Sequence, residues 1–489
     1  MTHQSINKGY LIPMAVTAAL GFLALGYSLA YYNAFTDIMY KKYAEKGQQV
    51  VQDKNIFNSL VSGVVPFGAI FGSVMIGLIV DKGRRFSLLV VASVLMAATL
   101  LSLVFNFYAL VLGRLCMGIC IGCYATLCPL YISEISPPEL SGLLGVFTQM
   151  GACTGAFIAF SVPFIMPLSE SSEVSEQNQG FSVDSHNWRM IFGLPFMIGL
   201  AQLLLLTLVF KHETPLFYLK KRDKSNYAKI MKLIYVGWKP DTDIELAEIK
   251  EVNRLIELKE ASRDESMSCN RSLLESQNSK AGRKSPPGYK KALLIGSALS
   301  IMQQLTGIGC VVFFSNEIFI VGRTGFDAAY SARVGTLLVG VVGFLGTGLS
   351  IPLQKFFGRV TFIQFSEIII CISLTLSGVC ACMGSQFGII IFTLIFIFMF
   401  NFGIGQAMWA YCPEILDSRG CSIVALLNMI CCCIFGIFTN LAFKYLTAQG
   451  VYFGLAAIQV FTITFVWAFV KETKGKTKQE CEQLYAIKN

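Results

Sequence analysis

Gln303 and Gln304 stand side by side in a mostly apolar stretch, and Gln149, Asn33 and Asn401 interrupt three others. Trp409 follows Asn401 by about two helical turns. An amide donates and accepts hydrogen bonds without carrying charge. Several amides among apolar residues suit a neutral, hydroxyl-bearing solute, with an indole to cover its C–H face and donate one more hydrogen bond. A buried amide is costly without a partner, so a helix–helix hydrogen bond is the alternative reading for each.

A second set of residues is charged and lies at or near the ends of apolar stretches: Asp81, Arg84, Arg85, Arg114, Glu134, Glu213, Arg359 and Glu414. Arginines and acids at cytosolic helix ends can pair between neighbouring helices and form a latch that opens when the helices part. A partly desolvated pair couples strongly enough to bias a two-state equilibrium. The alternative is anchoring of topology by charge, which accounts well for Lys82 and Lys355. Arg114 is harder to explain that way, because a charge next to apolar spans needs a partner.

The elements that must position these groups are membrane spans. Of the 489 residues, 54% are hydrophobic and only 14% charged, too few to coat a soluble protein. Stretches of ~20 apolar residues lie near 10–35, 56–80, 86–105, 108–131, 142–166, 190–210, 290–320, 333–354, 361–383, 388–412, 420–443 and 451–470. The reading is an all-α membrane protein of twelve transmembrane helices. It divides into an N-terminal six-helix half (1–210), a cytosolic segment of helices and linker (211–289), a C-terminal six-helix half (290–471) and a cytosolic tail (472–489). Lys/Glu/Leu patterning around 241–260 predicts amphipathic surface helices. Basic residues after the even-numbered spans put both termini in the cytosol, and Asn270-Arg271-Ser272 then stays unglycosylated. The net charge of +9 follows this topology and not a nucleic-acid surface. Cys116, Cys120, Cys123 and Cys128 resemble a metal-ligand set only in spacing, since no histidine lies near them. No metal, cofactor or enzymatic motif is expected, and the histidines, His3, His186 and His212, lie outside the spans.

The two sets of six spans echo each other. Gly83-Arg84 answers to Gly358-Arg359, Glu134 to Glu414, and Glu213-Thr214 to Glu472-Thr473, all in the same order. Duplicated halves with a solute site between them at mid-membrane, reached alternately from each side, follow from this pattern.

Taken in order, the motifs resemble the sugar porter family of the major facilitator superfamily over nearly the whole chain. They are Asp81-Lys82-Gly83-Arg84-Arg85, Gly113-Arg114, Pro129-Leu130-Tyr131-Ile132-Ser133-Glu134, Trp188-Arg189, Gln303-Gln304-Leu305-Thr306-Gly307-Ile308 and Glu472-Thr473-Lys474-Gly475. Glu213-Thr214-Pro215 and Ser315-Asn316-Glu317 look closest to hexose transporters of protozoan parasites. The resemblance implies the major facilitator fold and a hexose such as glucose as substrate. It implies sugar contacts at Gln149, Gln303, Gln304 and Trp409. Asn401 holds a polar family position with a different residue type, and Asn33, Thr306 and Asn316 complete the candidate set. It also implies the lipid bilayer, by family expectation the plasma membrane, as setting; a monomer suffices, and the oligomeric state is left open.

Departures from the family pattern fall mainly in the second half. Gly309 and Gly343 replace asparagines, Phe313-Phe314 an aromatic pair of tyrosines, and Gln406-Ala407-Met408 a proline-bearing segment. Proton-coupled relatives carry an aspartate after Gly-Tyr in span one, whereas Gly26-Tyr27 is followed here by Ser28. Uniport is therefore the expectation. The alternatives are a proton-coupled sugar or polyol symporter using Glu317 or Glu367, and a transporter-like sugar sensor.

Overall fold

The structure is a computed structural model, and it describes residues 5–34, 39–40, 43, 54–137, 139–165, 187–238, 288–320, 326–353, 356–476, 480–481 and 484–486. The segment 241–260, the sequon and the side chains of Asn33, Asn316 and Glu317 lie outside what is described.

Apolar sequence makes helices, and polar caps end them. The first six spans are α1 (Lys8–Ala30), α2 (Lys54–Ile79), α3 (Arg84–Ser102), α4 (Phe107–Ile135), α5 (Ser141–Ser161) and α6 (Asn187–Leu204). Asn7 caps α1 by accepting from the Tyr10 amide (3.3 Å), and Asn106 caps α4 through the Tyr108 amide (2.9 Å). Two short helices follow, α7 (Pro215–Lys220) and α8 (Lys224–Ile234). The amphipathic helix observed in the middle segment is thus α8. Its Ile230 and Ile234 pack on Leu11 of α1. Beside it, β1 (Ser5–Ile6) pairs antiparallel with β2 (Tyr235–Val236), a stitch that the sequence reading did not anticipate.

The later spans are less regular. Span seven is two helices, α9 (Tyr289–Leu305) and α10 (Ile308–Ile320), broken at Thr306-Gly307. Gly307 has φ +91°, which glycine adopts without steric cost. Then come α11 (Phe326–Leu353) and α12 (Arg359–Cys382). Span ten is α13 (Gln386–Phe402) and α14 (Ile404–Ile415), separated at Gly403. The last two spans form one kinked element, α15 (Ser418–Phe469), which turns at Thr447 (φ 61°). Eleven segments among the described residues are long and apolar enough to cross a membrane. The twelfth, span seven, falls short only because its break divides it.

Small residues set the packing. Gly68 and Gly72 of α2 lie against the Leu115 and Ile119 carbonyls of α4, while Gly118 and Gly122 of α4 lie against the Val65 and Ala69 carbonyls of α2. This reciprocal backbone contact is what small residues allow in a bundle. Not every span glycine works this way, since Gly77 and Gly348 face open space.

Candidate substrate site and charged helix ends

The candidate amides meet inside the bundle. Gln303 and Gln304 close α9 next to the break, where the Thr306 hydroxyl donates to the Gln303 carbonyl (2.8 Å). Gln303 Nε2 donates to the Gly405 carbonyl just beyond the break in span ten (2.9 Å). Breaks in both spans thus bring a side-chain amide from one onto the first turn of the helix that resumes in the other, a contact suited to discontinuous transmembrane helices. Asn428 of α15 ties the pair: its Nδ2 donates to Gln303 Oε1 (2.7 Å), and its Oδ1 accepts from Gln304 Nε2 (3.0 Å). The sequence reading passed over Asn428, although an amide in an apolar run is the signal that singled out Gln149.

A second amide cluster joins the first six spans to the last six. Gln149 Nε2 on α5 donates to Asn401 Oδ1 on α13 (2.9 Å). The Cys153 thiol donates to the same oxygen (2.9 Å) and lies 3.3 Å from Thr347 Oγ1 on α11. Gly343 explains why Asn401 fits there, because a Cβ at 343 would stand 3.1 Å from Asn401 Nδ2. Trp409 is buried on α14 and meets Phe22 of α1 edge to face at 5.5 Å. Gln149, Gln303, Gln304, Asn401, Thr306 and Trp409 are therefore all buried at the interior of the bundle. Asn33 lies in the turn Tyr31–Ala34, and Asn316 lies on α10.

The charged set collects at one end of the bundle. Arg84 holds Glu134 through Nε (2.9 Å) and Nη2 (2.8 Å), and Thr214 donates to the other carboxylate oxygen (2.7 Å). Glu213 accepts from the backbone amides of Arg85 and Phe86, both at 2.9 Å. Arg85 Nε reaches the Leu206 and Phe210 carbonyls (3.0 and 2.9 Å), which a π turn over Leu205–Val209 leaves available. The second half repeats the plan: Arg359 pairs with Glu414, and Glu472 accepts from the Arg359 and Val360 amides (3.0 Å each). Each network stays within one set of six spans. Glu472, present in the sequence echo but not among the candidate residues, is the counterpart of Glu213.

Two charged candidates stay outside these networks. Asp81 is exposed on its turn and joins no ion pair among the described residues. Arg114 is not at the basic end: it lies twenty residues from Glu134 along α4, about 30 Å at 1.5 Å per residue. It donates to the Tyr31 hydroxyl (2.5 Å) and the Val61 carbonyl (3.1 Å), with the rings of Tyr31 and Tyr32 at 5.0 and 4.7 Å. The partner that a buried charge requires is thus a hydroxyl, a carbonyl and two ring faces. Outside the spans, partial burial and then the Lys229 and Arg85 charges hold His212 below the ordinary histidine range.

Comparison with known proteins agrees with this architecture. The chain is 27% identical to "Hexose transporter 1" of Toxoplasma gondii, over 96% of this chain and 82% of that one. It is 28% identical to "Glucose transporter GlcP" of Staphylococcus epidermidis, over 87% and 89%. Its fold matches the proton:xylose symporter XylE bound to 6-bromo-6-deoxy-D-glucose with a TM-score of 0.77 at 22% identity, covering 98% of this chain and 100% of that one. An inward-open structure of XylE from E. coli matches with a TM-score of 0.67 at 21% identity, covering 97% and 100%. The model of the family "Sugar (and other) transporter" matches residues 14–485, so the chain belongs to that family of integral membrane transporters.

Proposed function

We propose that this protein carries a hexose such as glucose down its gradient by alternating access. The observation that carries the reading is the buried amide layer of Gln149, Gln303, Gln304, Asn401 and Asn428 beside Trp409, drawn from both sets of six spans. Such a layer matches hydroxyls that donate and accept, and the names of the relatives support a hexose. In this reading the sugar replaces bonds that the amides now make to each other, Gln149 to Asn401 above all. Asn33 and Asn316 sit on segments that would border the site.

The halves, 1–210 and 290–471, rock about this layer. Arg84, Arg85, Glu134 and Glu213, with Arg359, Glu414 and Glu472 in the second half, keep the helix ends of each half together as it moves. Arg114 holds the opposite end of the first half. Both termini are cytosolic and the plasma membrane is the setting. One monomer suffices for the cycle. The work is transport, with no enzymatic step.

Uniport follows from the surroundings of Arg114: its described partners include no carboxylate, and Ser28 stands where coupled relatives carry an acid. Counterflow of labelled glucose in liposomes, with and without an imposed proton gradient, tests this. Counterflow indifferent to the gradient is the expected result. Flux that requires the gradient would replace uniport with symport, and no flux would overturn the substrate.

A further inference from the structure

Among the acids whose side chains are described within the spans, Glu367 has no part in the helix-end pairs or the amide layer. It lies two turns into α12, fully buried at 0% exposure, and neither carboxyl oxygen has a hydrogen-bond partner. Gln459 on the last span of α15 is also at 0% exposure, and both atoms of its amide are unpartnered. The two helices run antiparallel and touch where the Cys371 thiol meets the Ala456 carbonyl at 3.6 Å. Glu367 lies one turn from Cys371, and Gln459 one turn from Ala456, both toward the basic end. Two orphaned polar groups therefore stand at one depth on facing helices, although buried polar groups are nearly always bonded.

The surroundings offer no counter-charge. The elements packed against α12 are α13, α14 and α15. Along 360–382, 386–413 and 446–470, Glu367 is the only Asp, Glu, Lys, Arg or His. The other ionisable groups along these ranges are Tyr411, Cys412 and Tyr452, with Cys371, Cys380 and Cys382 on α12 itself, and all are ordinarily neutral. The nearest arginine along α12, Arg359, lies about 12 Å away along the helix and is engaged with Glu414. An isolated carboxylate in such a place is prohibitively costly, and a carboxylic acid is not.

We propose that Glu367 and Gln459 form a proton-binding site within the C-terminal half, in which the protonated acid turns to donate to the Gln459 carbonyl, a bond that neither group makes in this structure. The site backs directly onto the break in span ten. The hydroxyl of Ser366, the neighbour of Glu367, donates to the Ile363 carbonyl (2.9 Å) and accepts from the Ile404 amide of span ten (3.2 Å), and its side chain fills the space beside Gly403. That break positions Asn401 on one side and the Gly405 carbonyl and Trp409 on the other. Losing the proton would draw water in behind the break and disturb the amide layer. The proton is held throughout the cycle, so its effect is a dependence on pH and not on a pH gradient. Sign and window follow: transport is intact while the acid is protonated and is lost as pH rises through its titration.

Two measurements test this. Infrared difference spectra of the purified protein between neutral and alkaline pH should show loss of a protonated carboxyl band, absent in Glu367→Gln; this requires no sugar and is independent of the substrate assigned above. Sugar flux at equal pH on both sides should fall about tenfold per pH unit beyond the titration point, while Glu367→Gln, which keeps the shape without the charge, flattens the profile. Gln459→Met should shift the alkaline limb toward lower pH by removing the acceptor. A carboxyl band that survives Glu367→Gln, or an unchanged alkaline limb in that variant, would overturn the site. Absence of flux with the band present and Glu367-dependent would overturn the substrate and leave the site standing.

Discussion

Breaking the Arg84–Glu134 pair should cost more than breaking its counterpart in the second half, and the structure sets the scale. Both side chains of the first pair are 2% exposed, and two guanidinium nitrogens converge on one carboxylate oxygen. Arg359 and Glu414 are 11% and 19% exposed. Removing one partner of a buried pair strands the other charge, at about 3–5 kcal/mol, whereas replacing both with apolar groups is often close to neutral. Glu134→Leu should therefore lower stability by about that amount. With an unfolding entropy of about 2.1 cal/mol/K per residue, that is on the order of 3–5 °C for a chain of this length unfolding as one unit. Glu414→Leu should cost less, because water reaches that pair and screens it. The assay is a thermal double-mutant cycle on purified protein, with Arg84→Met, Glu134→Leu and the double variant. The double variant should melt above Glu134→Leu. Additive losses, or a single loss below about 1 °C, the range of a surface pair, would refute the idea that this pair is a desolvated clasp.

Asn428→Leu should weaken glucose binding by about tenfold, because Gln303 and Gln304 each lose a hydrogen bond worth about 0.5–1.5 kcal/mol; Trp409-dependent fluorescence titration reads this out. Gly307→Ala should destabilise the protein by more than 1 kcal/mol or so, since φ +91° strains any Cβ and Leu455 occupies the space where it would go; a thermal melt checks it. Tyr31→Phe should leave Arg114 without its hydroxyl acceptor and lower stability by about 1–3 kcal/mol, measured in the same way.

The fold was legible because each span needs only a run of apolar residues, and because the repeated Gly-Arg, Glu and Glu-Thr positions expose the duplication. That Arg84, Glu134, Arg359 and Glu414 are candidates for pairing could be read from charge at helix ends, and which of them pair comes from the structure. The place of Arg114 could not, because its partners are a tyrosine hydroxyl, a carbonyl and two ring faces, none of which stands out by charge in a sequence. The breaks at Gly307 and Gly403 were equally hidden, since an apolar run with a glycine reads like any other span. Asn428 carried the same signal as Gln149, an amide in an apolar run, and only its partners, set by α15 lying against α9, were hidden. The β1–β2 stitch joins residues over two hundred positions apart and has no local signature.

The central claim is that the amide layer binds a hexose. Uptake of labelled D-glucose and L-glucose into liposomes, by wild-type protein and by Gln303→Ala, tests it most directly. The account predicts uptake of the D-isomer alone and its loss in Gln303→Ala with the fold retained. Wild-type kinetics in Gln303→Ala, or equal uptake of both isomers, would contradict it.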